Sequence, residues 1–212
     1  MPNWCNNNIT ISGDEGTIRT LTAVLKSIKT SDEEQSNNVF QSLIGLPQHM
    51  SDGDYKEKWY DTNIEWFGTK WDISYSEDMF TFTKGEISFF CETAWSPPIP
   101  FLQHLCEMYK VNANLFYSEG GVGFSGESTF NWVDGELEVY DDECGYLEGI
   151  YKYSRDEFWS EVESRVDCIL DEEQTLEDFI SEFDFVSEED KEELTRLYNE
   201  TIKENDEESE GE

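Results

Sequence analysis

The sequence predicts an α+β fold in which two helices cover one face of an antiparallel, split βαβ sheet, followed by an acidic helical C-terminal region. One observation is residues 86–110, where an apolar strand, a corner with two prolines and an amphipathic helix follow one another. The other is charge: residues 1–118 hold 16 acidic and 8 basic side chains (net −8), and residues 119–212 hold 33 and 6 (net −27).

The strand–corner–helix unit is the most informative stretch. Residues 87–91 form a short apolar run that is typical of a covered strand. Ser96 stands where a helix N-cap is expected, and Pro97 and Pro98 fit the first helical turn because its N–H groups have no intrahelical partner. Trp95 lies at the corner, where it either fills the strand–helix junction or stacks on a ligand.

The rest of the first 150 residues alternates between strand and helix patterns. Residues 3–12 alternate as a strand does, and an apolar stripe from Ile18 to Ile28 predicts a helix. Residues 30–38 and 48–61 are polar and predict loops. Further strands are predicted at 63–67, at 73–82 as a strand–turn–strand, at 111–118, at 122–132 and, after a turn at Asp134-Gly135, at 136–140. This order matches a ferredoxin-like layout with an enlarged meander.

After residue 150 the pattern becomes helical and acidic. Apolar residues at helical spacing predict three helices, the last of which opens at Ser187 with Asp190 three residues later, close to a capping box. We expect a domain at 1–150, an acidic helical region at 151–203 and a disordered acidic tail at 204–212, because the tail has too few apolar residues to fold.

Composition excludes several classes of protein. The net charge of −35 repels nucleic acid and membrane surfaces and attracts basic partners. No apolar run approaches about 18 residues, and the N-terminus lacks a signal-peptide pattern. Five scattered cysteines without a CxxC pair indicate reduced thiols, and a cytoplasmic location in a bacterial host is expected.

Four motifs in order resemble a known family. They are MPNWCNNNITISG at 1–13, EWFGTKWD at 65–72, FFCETAWSPPIPFLQHL at 89–105 and YSEGGVGFSG at 117–126. Together they resemble the Api92-like, YubB-type proteins of phages, prophages and plasmids over roughly residues 1–140. The resemblance implies a ferredoxin-like fold and a mobile-element origin, and it implies no activity. The family usually has an Asn-Trp pair before GTKW, where this chain has Trp66 and Phe67.

Two groups of residues are candidates for binding a small ligand. Lys70, Trp71 and Asp72, beside Trp95 and Trp4, combine a cation, aromatic rings and a carboxylate. The alternative is that the tryptophans pack together and Lys70 pairs with Asp72 in solvent. Glu119, with the glycines that follow it, either forms a backbone nest for an anion or turns the chain between two strands.

The sequence predicts no catalytic residues, no metal site and no cofactor. His49 and His104 are the only histidines, and no set of metal ligands or nucleophile with a base can be assembled.

Carboxylates of the C-terminal region are the candidates for partner binding. They are Asp171, Glu172, Glu173, Glu177, Asp178, Glu182, Asp184, Glu188 and Glu189. The first hypothesis is a non-enzymatic phage accessory protein whose acidic region mimics nucleic acid and docks on a basic host protein, such as a defence or nucleic-acid enzyme. The second is a nucleotide-signal binder that uses Lys70, Trp71 and Trp95.

Overall fold

The computed structural model describes residues 3–28, 38–169 and 175–209. The chain divides into two compact units, Met1–Cys144 and Gly145–Glu212, named unit 1 and unit 2 below. The described strands are β1 Trp4–Ser12, β2 Phe80–Phe82, β3 Glu86–Ala94, β4 Asn112–Glu119, β5 Phe124–Val133 and β6 Glu136–Gly145. The described α-helices are α1 Glu15–Ser27, α2 Val39–Ile44, α3 Asp52–Phe67, α4 Ile99–Tyr109, α5 Tyr146–Tyr153, α6 Arg155–Ile169, α7 Leu176–Ser181 and α8 Glu188–Ser209.

The strands form one six-stranded sheet in the order β2-β3-β1-β4-β5-β6. Strand β1 pairs antiparallel with both β3 and β4, β2 pairs antiparallel with β3, and β4 pairs antiparallel with β5. At the turn between β5 and β6, Asp134 and Gly135 both have positive φ (52° and 91°), as a type I′ hairpin turn requires. The predicted α+β class with an antiparallel sheet is confirmed.

The core of unit 1 lies on one face of the sheet. Along β1, Cys5, Ile9 and Ile11 are buried, whereas Trp4 and Asn8 on the other face are exposed. The helices α1 and α4 contribute to the same core as the buried residues of β1. Their buried side chains are Ile18, Leu21, Leu25, Phe101, Leu102, Leu105 and Cys106.

Helix α3 replaces a predicted loop and strand. Residues 48–61 were expected to be loop and 63–67 strand, but α3 runs from Asp52 to Phe67. Ser51 and Asp54 form a capping box at its start, and Gly68 ends it in the left-handed conformation. The kink at Lys58 breaks the apolar period, which is why periodicity alone missed this helix.

Two local predictions around β2 and α4 are also wrong. The predicted strand–turn–strand at 73–82 reduces to an isolated bridge between Asn38 and Ser74 and the short strand β2. Ser96 does not cap α4: its hydroxyl donates to the carbonyl of Gly68 at 2.6 Å, and Pro98 is the N-cap residue.

Unit 2 is a small helical bundle with its own hydrophobic core. Its buried side chains are Ile150, Phe158, Val162, Phe179, Phe183, Val186, Leu194 and Tyr198. Because α5 supplies Ile150 to this core, the division between the units lies at 144/145 rather than at the predicted 150/151. Helix α8 continues to Ser209, through much of the tail predicted to be disordered, since its glutamates favour helix. Residues 210–212 lie outside the described residues.

No helix in the described ranges combines the length and the apolar character needed to cross a membrane.

Candidate functional site

Four of the predicted ligand-binding residues meet at one corner of unit 1, called the aromatic corner: Trp4, Lys70, Trp71 and Trp95. The Lys70 Nζ atom lies 4.4 Å from the ring centroid of Trp71 and 4.7 Å from that of Trp95. The rings of Trp4 and Trp71 are 6.1 Å apart. The three tryptophans are 47%, 39% and 42% exposed, in chain order. The corner is therefore an open aromatic surface that already holds a cation.

Hydrogen bonds fix the loop that carries Lys70. The buried Thr69 hydroxyl donates to the carbonyl of Ala94 and accepts from its N–H, at 3.2 and 3.1 Å. The Asn63 side chain on α3 donates to the carbonyl of Lys70 at 2.9 Å. Gly68 has φ +83°, and a Cβ there would lie 2.4 Å from Cδ of Pro100. The loop therefore has one position against the end of β3.

Trp95 does not fill the strand–helix junction. Its backbone has φ +72°, which is unusual for a residue with a side chain. Its N–H donates to the carbonyl of Asn3 at 3.0 Å, so the positive φ is held by the extension of the β1–β3 ladder. The ring is left exposed beside Lys70.

Asp72 has a structural role instead of an ion pair with Lys70. Its two carboxylate oxygens accept hydrogen bonds from the backbone N–H groups of Phe40, Gln41 and Ile73 at 2.7–2.8 Å. Two of these donors belong to the first turn of α2, so Asp72 caps that helix from a distant part of the chain. Burial raises the pKa of Asp72 to about 6, against the opposing effect of the backbone donors.

Glu119 fills the nest that was proposed for an anion. Its buried carboxylate accepts hydrogen bonds from the N–H groups of Gly121 and Val122 at 2.7 and 2.6 Å. A Cβ at Gly121 would lie 2.5 Å from Nδ2 of Asn3, so the turn is also closely packed. An external anion would have to displace Glu119, and the interpretation as a turn is the one that fits.

Two grooves border the aromatic corner. The first, the edge groove, has a volume of about 380 Å³ and runs between β3 and the 71–74 segment. The second, the helix groove, has a volume of about 620 Å³ and lies beside α2 and α3. Trp71 and Asp72 line both grooves, and among the described lining residues neither groove includes Lys70 or Trp95.

Sequence reasoning missed the contribution of α3 to the helix groove. Tyr55, Trp59 and Asn63 project from one helix into that groove, and the Tyr55 hydroxyl donates to the Asn63 side chain at 2.9 Å. The capping box at Ser51 was the available signal, because it would have placed these residues on a helix.

The acidic residues predicted to bind a partner lie on unit 2. Asp171, Glu172 and Glu173 lie outside the described residues. The other six are all exposed: Glu177, Asp178, Glu182, Asp184, Glu188 and Glu189. Asp178 also accepts a hydrogen bond from Thr175 at the start of α7, and Glu188 pairs with Lys191 at 3.1 Å.

Four described basic side chains of unit 2 are paired with carboxylates of the same unit. Unit 2 holds 25 acidic and six basic residues, a net charge of −19. Lys152, Arg155, Lys191 and Arg196 each form an ion pair with a carboxylate of unit 2, at 2.7–3.1 Å for the pairs with Glu148, Asp190, Glu188 and Glu200. These cations are therefore compensated internally, and the excess carboxylates dominate the field around unit 2.

An acidic groove with an aromatic wall lies between α6 and α8. It has a volume of about 690 Å³, and Trp159 and Leu197 supply its apolar lining. Its polar lining consists of Glu163, Glu189, Asp190, Glu192, Glu193 and Arg196. Carboxylates around an indole suit a lysine or arginine side chain, which gains both charge pairing and a cation–π contact.

Asp190 joins three helices of unit 2. Its carboxylate accepts hydrogen bonds from Tyr151 on α5, Arg155 on α6 and Ser187 before α8, at 2.5, 2.9 and 2.6 Å. Burial raises the pKa of Asp190, but the hydrogen bonds from Ser187, Tyr151 and Arg155 outweigh it and bring the pKa to about 2. The acidic surface is thus carried on a firmly connected bundle.

In the described part of unit 1, His104 and three cysteine side chains are stacked on an aromatic ring or buried. The ring of His104 stacks on Trp66 at 3.8 Å, and burial lowers its pKa. Cys5, Cys91 and Cys106 are buried, and burial raises the pKa of Cys5 to about 12. In the part of the chain that the structure describes, no three His, Cys, Asp or Glu side chains are grouped as metal ligands.

Comparison with known proteins identifies one family and one solved structure. The family model described as the ferredoxin-like domain in Api92-like protein matches residues 70–199. The match extends past residue 140, where the resemblance in motifs was expected to end, and includes much of unit 2. The crystal structure of protein api92 from Yersinia pseudotuberculosis is 9% identical and covers 69% of this chain and 98% of its own, with a TM-score of 0.37. Curated proteins give no match.

Proposed function

We propose that this chain, which belongs to the family of Api92-like proteins with a ferredoxin-like domain, is a non-enzymatic accessory protein of a phage or other mobile element. Unit 2 would bind a basic surface of a host protein that handles nucleic acid or acts in defence, in the cytoplasm of a bacterial host. The observation that carries this proposal is the acidic surface of unit 2, where the described basic side chains are largely paired internally.

The positions of these carboxylates support the proposal of nucleic-acid mimicry. Glu177, Asp184, Glu189 and Glu192 are exposed on or next to helices that share one hydrophobic core. Carboxylates on such a support can occupy sites that are built for phosphates, and they lose little conformational freedom on binding. The long-range field of unit 2 would also accelerate encounter with a basic protein.

The order of the first four strands supports a finer proposal about unit 1. The order β2-β3-β1-β4, with antiparallel neighbours and helices between β1 and β2 and between β3 and β4, is what a split βαβ ferredoxin-like layout requires. Unit 1 would then be the scaffold that carries unit 2.

Affinity capture with two matched variants tests the proposal. In the unit 2 variant, Glu177, Asp184, Glu189 and Glu192 become Gln or Asn. In the unit 1 variant, the exposed residues Glu57, Glu65, Asp78 and Glu138 are changed in the same way. Both variants lose the same charge, so they separate a specific surface from net charge alone.

The expected result is that the wild type and the unit 1 variant capture the same basic, nucleic-acid-binding host protein, and that the unit 2 variant does not. Raising the salt from about 0.15 M to about 1 M shortens the Debye length from about 8 Å to about 3 Å and should release the partner. Equal capture by the two variants, or capture that persists unchanged at about 1 M salt, would contradict the proposal.

A second candidate function is a binding site for a nucleotide-like small ligand at the aromatic corner. The observation that favours it is the exposure of three tryptophans around Lys70, next to the helix groove. Indole faces stack on bases, and a lysine attracts phosphate. A nucleotide at about 100 times its dissociation constant should add about 2.7 kcal/mol to the stability. No thermal shift with any nucleotide, or an equal shift in a Trp71→Ala variant, would exclude this function.

A further inference from the structure

Strand β3 presents its main-chain groups to two different neighbours. Its odd-numbered residues face β1, since the N–H of Gly13 donates to the carbonyl of Gly85 at 3.1 Å and the N–H of Trp95 donates to the carbonyl of Asn3 at 3.0 Å. Successive residues of a strand direct their N–H and C=O groups to opposite edges. The main-chain groups of Glu92 therefore point away from β1, toward the edge that β2 partly covers.

That edge of β3 is open at Glu92. Strand β2 covers only the part opposite Ile87–Phe89, and at the other end Thr69 bonds both main-chain groups of Ala94. Between them, no group of the described residues bonds to the main-chain N–H or C=O of Glu92. An unpaired donor and acceptor on a strand edge are a template for another extended chain.

The edge groove gives such a chain a place to lie. One wall is the 91–94 segment of β3, and the other is the 71–74 segment, with Trp4 and Met79 completing the lining. Its volume of about 380 Å³ lies in the range of specific binding sites. At Ala94 the Thr69 hydroxyl already takes the place of a paired strand. A chain bound opposite Glu92 would therefore continue an existing row of hydrogen bonds along this edge.

The side chains around the unpaired main-chain groups of Glu92 favour a positively charged residue. Glu92 is directly opposite Asn6, and Trp4 is directly opposite Ala94, so Glu92 and Trp4 share one face of the sheet as diagonal neighbours. Both side chains are exposed. A residue that paired with Glu92 would place its own side chain on this same face, against a carboxylate and within reach of an indole.

We propose that this edge of β3 binds an extended segment of a partner polypeptide, which adds a short strand opposite Glu92 and places a lysine or arginine side chain between Glu92 and Trp4. Main-chain pairing with Glu92 supplies the affinity, and the carboxylate and indole supply the preference for a basic residue. Binding at this edge does not depend on the acidic surface of unit 2, so either proposal can be wrong while the other is right.

Labelled peptides with the same charge test the edge. The first probe, called the valine peptide, alternates valine and lysine and forms strands readily. The second is the same peptide with each lysine methylated on its main-chain nitrogen, which keeps the charge and removes the N–H groups that would pair with Glu92. Fluorescence polarisation on the full chain should show at least about tenfold tighter binding of the valine peptide. Equal affinity for the two peptides would show attraction by charge alone and would overturn the proposal.

Two substitutions at Glu92 separate the contribution of its main-chain N–H from that of its side chain. Glu92→Pro removes the edge donor, whereas Glu92→Thr removes the same charge and keeps the donor. Because the lost N–H points away from β1, the β1–β3 ladder keeps its hydrogen bonds. Binding of the valine peptide should be about tenfold weaker for the proline variant than for the threonine variant. Equal affinities of the two variants would overturn the proposal.

Amide hydrogen exchange on the wild-type chain decides the matter if the proline variant fails to fold. The Glu92 amide should exchange rapidly in the free protein and at least about tenfold more slowly with saturating valine peptide. The Cys91 amide, which faces β1, should not change. A Glu92 amide that is already protected in a dimer of the free protein would identify a second copy of the chain as the occupant and overturn the proposal, as would unchanged exchange at Glu92.

Discussion

Lys70 of the aromatic corner and Asp72 contact different partners, although only Trp71 separates them in sequence. Lys70 lies over the rings of Trp71 and Trp95, while Asp72 turns to the start of α2. An ammonium on indole faces needs no carboxylate, and a carboxylate that accepts three backbone N–H groups needs no ammonium. The segment 70–72 is therefore stabilised by two separate sets of interactions, and each set can be removed without the other.

Replacing Lys70 by methionine should lower the free energy of unfolding of unit 1 by about 0.5–1 kcal/mol, the usual strength of an exposed cation–π contact. Lys56→Met is the matched control, because Lys56 is an exposed lysine of α3 and is not placed over a ring. Chemical denaturation monitored by tryptophan fluorescence measures both. Equal effects of the two substitutions would show that the contact with Trp71 and Trp95 contributes nothing.

Deprotonation of Asp72 should lower the free energy of unfolding of unit 1 as the pH rises. Its pKa in the folded state, about 6, lies above the unfolded value near 3.8, so the folded state binds the proton more tightly. Its contribution is fully present below the unfolded pKa and is lost as pH rises through the folded pKa. Between about pH 4 and pH 7 the loss should be roughly 2 kcal/mol.

Comparison of the wild type with Asp72→Asn isolates this contribution. The wild type should lose stability relative to the variant over that pH range in urea denaturation, and Asp61→Asn, an exposed control, should follow the wild type. A wild-type curve parallel to that of Asp72→Asn would show that the carboxylate of Asp72 titrates normally.

Helices α5, α6 and α8 of unit 2 depend on one carboxylate. Asp190→Asn should lower the melting temperature of unit 2 more than Asp184→Asn does, because Asp190 accepts hydrogen bonds from Tyr151, Arg155 and Ser187, whereas Asp184 is exposed. Since its pKa is lowered to about 2, its contribution is present above the unfolded value and disappears as pH falls through about 2. Circular dichroism measures the melting temperatures of both variants. Equal values would contradict the role of Asp190 in joining the three helices.

The elements with regular patterns could be predicted from the sequence, and those fixed by distant contacts could not. The alternation in β1 and the apolar stripe of α1 identified both elements, and the Asp134-Gly135 turn was found from its residue types. Helix α3 was missed because of its kink at Lys58.

The arrangement of the candidate site was predictable only in part. Proximity in sequence and residue type predicted that Lys70, Trp71 and Trp95 meet. No local pattern shows that Asp72 caps a helix more than 30 residues earlier in the chain, where its partners are Phe40 and Gln41. The roles of Asp72 and Glu119 depend on backbone N–H groups, which every residue but proline carries and which a sequence therefore does not distinguish.

At the scale of the whole molecule, the exposed tryptophans and the largest excess of carboxylates belong to different units. The described part of unit 1 holds four exposed tryptophans and a strand edge, and unit 2 holds a net charge of −19 on a bundle of helices. A field of this size acts over about a Debye length, which is about 8 Å in physiological salt. Electrostatic attraction would bring a basic partner to unit 2, and short-range contacts would then select it.

The most direct test of nucleic-acid mimicry is competition with DNA for the captured host protein. Labelled duplex DNA is bound to that protein, and the wild type or either four-residue variant is added while fluorescence anisotropy is recorded. We expect anisotropy to fall to the value of free DNA, and the unit 2 variant to need about tenfold more protein than the unit 1 variant. A rise in anisotropy, which would mean that DNA and this chain bind together, or equal displacement by the two variants, would contradict the account.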